Sequence, residues 1–307
     1  MSNVPISGSA SVFQLYKKET TFNTAVVPDL HFGLDTSFSA NLTNNINPRR
    51  GFKGSTTSGR DVQFFTYGKA EYQITENFDL NDPSIFELVL GNKTVDTYSG
   101  TDIPSSITLV NGLDHTTTDR NEVYSGALIN QATISGAINE PITANLTIIA
   151  ADMNFTSTLE TNTPILNKAP FTFVGASFEM PAGTSINNLV ESFDITINNN
   201  FTMLYGPNRK AQNYVPGERV YSIKLSTRQI DDILLQSALG GSSISNTNPT
   251  ENATLKIQAT RPDGDTLSFN FVLTPISTYD LSAKLNEAVG ENIELTASEL
   301  TITESIS

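Results

Sequence analysis

The sequence predicts a mainly β protein: two tandem β-sandwich or barrel modules, residues 1–175 and 176–307, each flanked by one short α-helix. Three observations carry this expectation. Apolar residues gather in short runs rich in β-branched and aromatic side chains, bounded by polar turn residues, which is the signature of strands. Blocks of the first half recur in order in the second. Each half also holds one helical segment at the same place in the repeat.

The strand segments, in chain order, are Ser11 to Tyr16, Phe38 to Leu42, Val62 to Tyr67, Glu71 to Ile74, Ala144 to Ala150, Phe171 to Ala176, Phe193 to Ile197, Arg219 to Leu225, Ala253 to Ala259, Leu267 to Leu273 and Ile293 to Ala297. In Ile195, Ile197 and Phe201, and in Val220, Ile223 and Leu225, the apolar residues fall partly on a period of two, as in half-buried strands. Asp82-Pro83 supplies an N-cap and a first-turn proline for a helix over Ser84 to Leu90, closed by Gly91. In the second half Thr227 is placed to cap Arg228 to Leu239. There Ile230, Ile233, Leu234 and Ala238 form an apolar stripe, and Gly240 follows the end. Asn111-Gly112 and Pro262-Asp263-Gly264 read as hairpin turns. The segment Thr94 to Asp119 and the tail after Ala297 are expected to order only in a polymer.

The repetition is colinear. Leu34 to Ile46 set on Leu189 to Phe201 matches Ser37/Ser192, Phe38/Phe193, Asn44/Asn199 and Asn45/Asn200, an offset of 155. Gly68 to Gly91 set on Gly217 to Gly240 matches Tyr72/Tyr221, Ile74/Ile223, Asp82/Asp231 and Gly91/Gly240, an offset of 149. Ile134 to Ala150 set on Leu281 to Ala297 matches Ser135/Ser282, Asn139/Asn286, Glu140/Glu287 and Ala150/Ala297, an offset of 147. Repeats at such offsets are read before anything else, because they set the architecture.

Composition excludes several classes. The 307 residues include no Cys, so no disulfide framework, thiolate zinc site or cysteine nucleophile is possible. The formal net charge of −14 argues against a protein that grips nucleic acid, which would need clustered cations. It divides equally, with −7 in each half. The amino-terminal run has neither a basic nor an apolar stretch, and no segment approaches 18 apolar residues. The chain is therefore expected to be soluble, made in a cytoplasm and not inserted in a membrane.

The runs ESFDITINNN, YGPNRK and VPGERVYSIKLS within Glu191 to Ser226, the capped helix after them, and YSGALINQATISGAINEPITANLTIIAAD at Tyr124 to Asp152 resemble the major tail tube proteins of long-tailed, siphovirus- or myovirus-like bacterial and archaeal viruses. The likeness is to those with a duplicated tube domain, and it covers most of the chain. It implies a structural, non-enzymatic role without cofactor or metal. In that family strands from six domains close one continuous oligomeric β-barrel, and stacked rings form a tube that conducts the genome during ejection. A duplicated chain would complete the ring as a homotrimer of pseudo-hexameric symmetry; a hexamer is the alternative. Implied partners are the chain itself, tail terminator, baseplate or tip and tape-measure proteins, with viral DNA passing transiently through the lumen. The implied location is the virion tail, assembled in the host cytoplasm.

The acidic balance has two readings: a lumen that does not hold phosphate, or solubility of an abundant protein. The cations cluster. Arg49, Arg50 and Lys53 surround Gly51, while Arg209 and Lys210 follow Gly206, the partner of Gly51 at the 155 offset. The corresponding loop of the resembled family reaches the next ring, which makes these five residues inter-ring contact candidates; the other reading is two solvated loop tips.

No enzyme constellation is present. His31 and His115 stand apart from any metal-spaced motif, and no G-x-S-x-G, H-E-x-x-H or phosphate loop occurs. Arg261 to Asp265 lacks the distal Glu of a calcium loop and reads as a turn. Six N-x-S/T sequons, at Asn41, Asn92, Asn145, Asn154, Asn200 and Asn252, follow from an Asn- and Thr-rich composition. They also fit the competing class, a secreted surface-layer or adhesin-type β-sandwich. A third class is a carbohydrate-active sandwich enzyme.

Overall fold

A computed structural model describes residues 12–50, 62, 64–113, 119–157, 167–181, 183–186, 190–244, 254–272, 274–283, 285 and 288–306. Lys53, His115 and Asn252 lie outside the described residues. The first half runs β1 (Val12–Lys18), β2 (Leu34–Arg49), β3 (Phe64–Asp79), α1 (Ile85–Leu90), β4 (Gly91–Thr94), β5 (Thr97–Gly100), β6 (Ile107–Leu113), β7 (Arg120–Ala137), β8 (Thr143–Ala150) and β9 (Asp152–Thr156). The second runs β10 (Thr172–Glu179), β11 (Val190–Asn198), β12 (Thr202–Tyr205), β13 (Ala211–Val215), β14 (Val220–Arg228), α2 (Ile233–Leu239), β15 (Thr254–Thr260), β16 (Thr266–Val272), β17 (Ile276–Ser282), β18 (Gly290–Ala297) and β19 (Glu299–Ser305). The chain is mainly β, in antiparallel sheets.

The central feature is an eight-strand path in the order β17-β18-β14-β11-β7-β8-β3-β2. Beneath it, β1, β6, the first part of β7 and β9 pair in one layer, while β10, β15, β16 and β19 pair in another that β5 and β4 extend. β7 serves both layers. It pairs with β9 through Ser125 and with β6 through Ala127, then crosses to pair with β8 from Leu128 and with β11 from Gln131. Gly126 makes that crossing possible. Its φ is +59°, and a Cβ there would sit 2.8 Å from the Ala151 Cβ, so only glycine fits both the turn and the space.

Side chains alternate as a half-buried sheet requires. Along β18 Glu291, Ile293, Leu295 and Ala297 are buried, and along β11 Phe193, Ile195 and Ile197 are buried. One apolar cluster joins both halves, from Tyr16, Ile74, Phe78 and Phe86 to Phe193, Phe269, Ile293 and Ile302.

The two halves hold the same register. Phe38 faces Glu76 and Ala40 faces Ile74 across β2 and β3; Phe193 faces Leu225 and Ile195 faces Ile223 across β11 and β14. Tyr72 faces Ala150, as Tyr221 faces Ala297. Ser135 faces Thr143, as Ser282 faces Gly290. Even the irregularities recur: the register slips between Ile129 and Gln131 against β8, and between Ile276 and Thr278 against β18. Every one of these pairs is related by the sequence offsets 155, 149 and 147. Residue 175 falls inside β10, which pairs with β15 of the second half.

Several local expectations need correction. α1 forms over Ile85–Leu90 and Gly91 closes it at φ +104° as expected, but its N-cap is Ser84 and not Asp82, whose Oδ1 accepts from the Ser84 N–H at 2.9 Å. Thr227 caps no helix. It sits in the β14 ladder opposite Glu291, and its hydroxyl donates to the Glu291 carbonyl, so the helix starts only at Ile233 with Asp232 as N-cap. Ladder pairing along β14 overrides the helical periodicity. Asn111-Gly112 is not a turn either: both residues lie within β6, facing Gln14 and Phe13, because the apolar run around them is buried and paired on two sides. Thr94 to Asp119 contains β5 and β6, and the tail contains β19, so both carry ordered strands within the single chain. The turn at Pro262-Asp263-Gly264 does form, between β15 and β16, with Gly264 at φ +94°. Arg261 is buried there, bonded to Asp265 and to the Asn81 carbonyl, with its guanidinium 4.5 Å from the Phe171 ring centroid.

Candidate assembly interface

The site is a surface rather than a cleft: two sheet edges, a long hairpin and one polar face. Among the described residues neither edge of the eight-strand path has a further strand beside it, and the path does not close on itself within the chain. On the β2 edge Leu42 and Ile46 are both 45% exposed; on the β17 edge Leu281 is 49% exposed. Long open edges bearing apolar residues are what soluble monomers avoid.

The hairpin of β2 and β3 projects Phe64, Phe65 and Tyr67 into solvent. Arg49, which faces Phe64, and Arg50 are exposed beyond them. The other predicted cations lie elsewhere. From the turn between β12 and β13, Arg209 donates to the Gly68 carbonyl at 3.1 Å and to Asn44, and its guanidinium covers the Tyr67 ring. Lys210 pairs with Asp152. The fold thus separates the cation clusters: Arg209 braces the hairpin at Asn44 and Gly68, Lys210 is held on β9 by Asp152, and Arg49 and Arg50 stand about 16 Å further along the hairpin, at roughly 3.3 Å per residue. Their partners Asn44 and Asp152 are distant in sequence, so no local signal announces these contacts.

The face of the eight-strand sheet opposite the core is polar. Its central row, strand by strand, is Ser37, Asn77, Asn145, Thr133, Thr196, Ser222 and Thr296, none of them ionisable. In the neighbouring row Asp194 faces Lys224, which pairs with Glu294 at 2.6 Å. That contact raises the Lys224 pKa, through the hydrogen bond first and the charge second.

The junction between the halves is built within this sheet. β11 pairs with β7 from Ser192↔Ala137 to Asn198↔Gln131. Ile195 and Ile134 face each other, fully buried, and on the polar side the Thr133 and Thr196 hydroxyls lie 3.4 Å apart. Gly136 lies opposite Phe193, where a Cβ would come within 2.6 Å of the ring. α1 lies against β7 at the junction, and its Phe86 packs edge-on to Phe269 of β16 in the second sheet at 5.6 Å and 88°. α2 buries only Leu234 and leaves Ile233 with neighbouring Ile230 exposed.

Among the described residues no group of three or more His, Asp or Glu side chains could hold a metal ion, and no helix is long and apolar enough to cross a membrane. The chain belongs to the phage tail tube protein family, whose model matches residues 9–302. It is a structural protein of a viral tail. The match lends nothing to the surface-layer reading. None of the curated proteins compared with the chain matches it.

Proposed function

We propose that the chain polymerises as stacked rings into a hollow tail tube that conducts the viral genome, three copies per ring, each carrying two tandem tube modules. The observation that carries this reading is the eight-strand sheet left open at both edges in a chain that belongs to the tail tube family. The shared register of the two halves supports a duplicated module, with β10 opening the second, and so favours a trimer over a hexamer. Three chains would give about 24 strands; spaced about 4.8 Å and tilted about 40°, they close at a backbone diameter of about 48 Å, which admits duplex DNA.

The polar face of the sheet is the proposed lumen lining. Its hydroxyls and amides leave phosphates solvated, and its charges are mostly acidic, with Asp79, Asp194, Asp280 and Glu294 against Lys224, so the face offers phosphate no cationic hold. Arg49, Arg50 and, from its sequence position, Lys53 are proposed to reach carboxylates of the adjacent ring. Arg209, bonded within the chain, acts in that contact by holding the hairpin, and Lys210, paired with Asp152, fixes the turn that carries Arg209. Tail terminator, baseplate or tip and tape-measure proteins would meet the ends and interior of this tube, assembled in the host cytoplasm. No catalytic role is proposed.

Electron microscopy of the purified protein tests the reading. Hollow tubes of uniform width are expected; open sheets would favour a surface layer, and persistent monomers would overturn the proposal.

A further inference from the structure

The eight-strand path is two four-strand units laid head to tail: β17-β18-β14-β11 and then β7-β8-β3-β2. Under the offsets that relate the halves, β11 corresponds to β2 and the second part of β7 corresponds to β17. The joint in the middle of the sheet is therefore made by the counterparts of the two strands left open at its ends. We propose that β2 of one chain pairs antiparallel with β17 of the next copy, in the register that β11 and β7 hold inside the chain. This rests on the tube reading above and adds to it the seam: which strands meet, and which residues face each other.

Transferring the internal pairs gives the seam. Asp194↔Ser135 becomes Ser39↔Ser282, Ile195↔Ile134 becomes Ala40↔Leu281, Thr196↔Thr133 becomes Asn41↔Asp280, Ile197↔Ala132 becomes Leu42↔Tyr279, and Asn198↔Gln131 becomes Thr43↔Thr278. The result is chemically consistent on both faces. Ala40, Leu42, Tyr279 and Leu281 fall together on the core side, where Ile195, Ile197, Ala132 and Ile134 are buried at the internal joint. On the polar side Ser39, Asn41 and Thr43 meet Ser282, Asp280 and Thr278, pairs that can hydrogen-bond without opposing like charges. Phe38 would face Ala283, a small residue where Gly136 gives room to the ring of Phe193.

Two further features agree with a second copy as the occupant. The ladders within the chain fix the faces of both strands, so a slip by one position would set the apolar row of Ala40 and Leu42 against the polar row of β17, and the alternation excludes the odd slips. α1 already shows how a helix sits at such a joint, packed against β7 and tied to it through Asn199, which donates to the Val89 and Ile129 carbonyls, whereas Ile230 and Ile233 beside and within α2 are exposed.

The chain contains no cysteine, so engineered thiols report the seam without background. In Asn41→Cys combined with Asp280→Cys, oxidation of assembled tubes is expected to link separate chains through these two positions, as read by denaturing electrophoresis and peptide mass mapping. A mixture of the two single variants should give two-chain species only. Ser39→Cys with Ser282→Cys is the second pair, in case the first perturbs assembly. Asn41→Cys with Thr278→Cys is the control: it is diagonal in this register, about 7–8 Å apart, beyond the usual disulfide span of about 4.4–6.8 Å between Cα atoms. Tubes in which neither facing pair links, or in which the diagonal pair links equally well, would overturn the register while leaving the tube reading intact. A wild-type chain that forms no polymer would overturn both.

Discussion

Arg219 and Asn199 lock the two halves of the chain together. The Arg219 Nε donates to Asn199 Oδ1 at 2.7 Å, and a terminal guanidinium nitrogen donates to the carbonyls of Thr101 at 2.9 Å and Leu90 at 3.2 Å. Asn199 in turn donates to the carbonyls of Val89 at 3.0 Å and Ile129 at 2.9 Å. The end of α1 and the β7–β11 joint are thus held by two side chains of the second half. Arg219→Ala is expected to lower stability by about 2–4 kcal/mol, because it leaves part-buried acceptors unpaired. Urea unfolding should show a lower midpoint at unchanged slope; a loss under about 0.5 kcal/mol would deny the lock.

Phe86 fastens α1 to the second sheet, through β16 and β5. It is 1% exposed and packs edge-on to both Phe269 and Tyr98. Phe86→Ala should cost about 3–5 kcal/mol, the range for emptying a buried aromatic site. Differential scanning calorimetry checks it, and a melting temperature within a degree or two of wild type would contradict this packing.

Glu76 makes stability depend on pH. It lies wholly inside the sandwich, with one oxygen accepting from Gln14 Nε2 at 3.1 Å; its Oε2 has no hydrogen-bond partner among the described residues. Burial raises its pKa well above the ordinary 4.5, and the Gln14 bond offsets only part of that. An acid whose folded pKa is raised favours the fold most when protonated. That contribution is complete below pH 4.5 and is lost as pH rises through the folded value. Glu76→Gln should therefore match wild type near pH 4 and gain on it progressively at higher pH. A stability difference that stays constant from pH 4 to 8 would show that Glu76 carries no such shift.

Leu281 is half exposed on the β17 edge, so Leu281→Lys should leave the monomer within about 0.5 kcal/mol of wild type while blocking strand addition. Sedimentation should find folded, unassembled chains. Normal tubes from this variant would remove β17 from the seam.

Reversing Arg49 and Arg50 to Glu addresses stacking rather than ring closure. Rings should form, but tubes should shorten or fail, with an effect that weakens as salt is added. Electron microscopy showing tubes of normal length would withdraw the axial role of these cations.

Much of this architecture was legible in the sequence because period-two burial leaves a period-two pattern: Phe193, Ile195 and Ile197 announced a strand, and the offsets that align Phe38 with Phe193 also align their ladder partners. β7 was obscured since Tyr124 to Ile129 is buried on both faces and shows no alternation. The start of α2 was misread because Ile230 and Ile233 mimic a core stripe although both are exposed. The edges were hidden for the same reason: Leu42 and Leu281 resemble core residues in sequence, and only the strand order shows that no strand among the described residues lies beside them. Arg209 and Lys210 shared a loop type with Arg49 and Arg50 by offset, yet their bonding partners could be found only in three dimensions.

A reconstruction of the assembled tube by cryo-electron microscopy would weigh the whole account at once. Three chains around each ring, their strands running without a break from β2 of one copy into β17 of its neighbour, is the predicted image. Six chains per ring, or a ring held by loops while those strands stay uncovered, would contradict it.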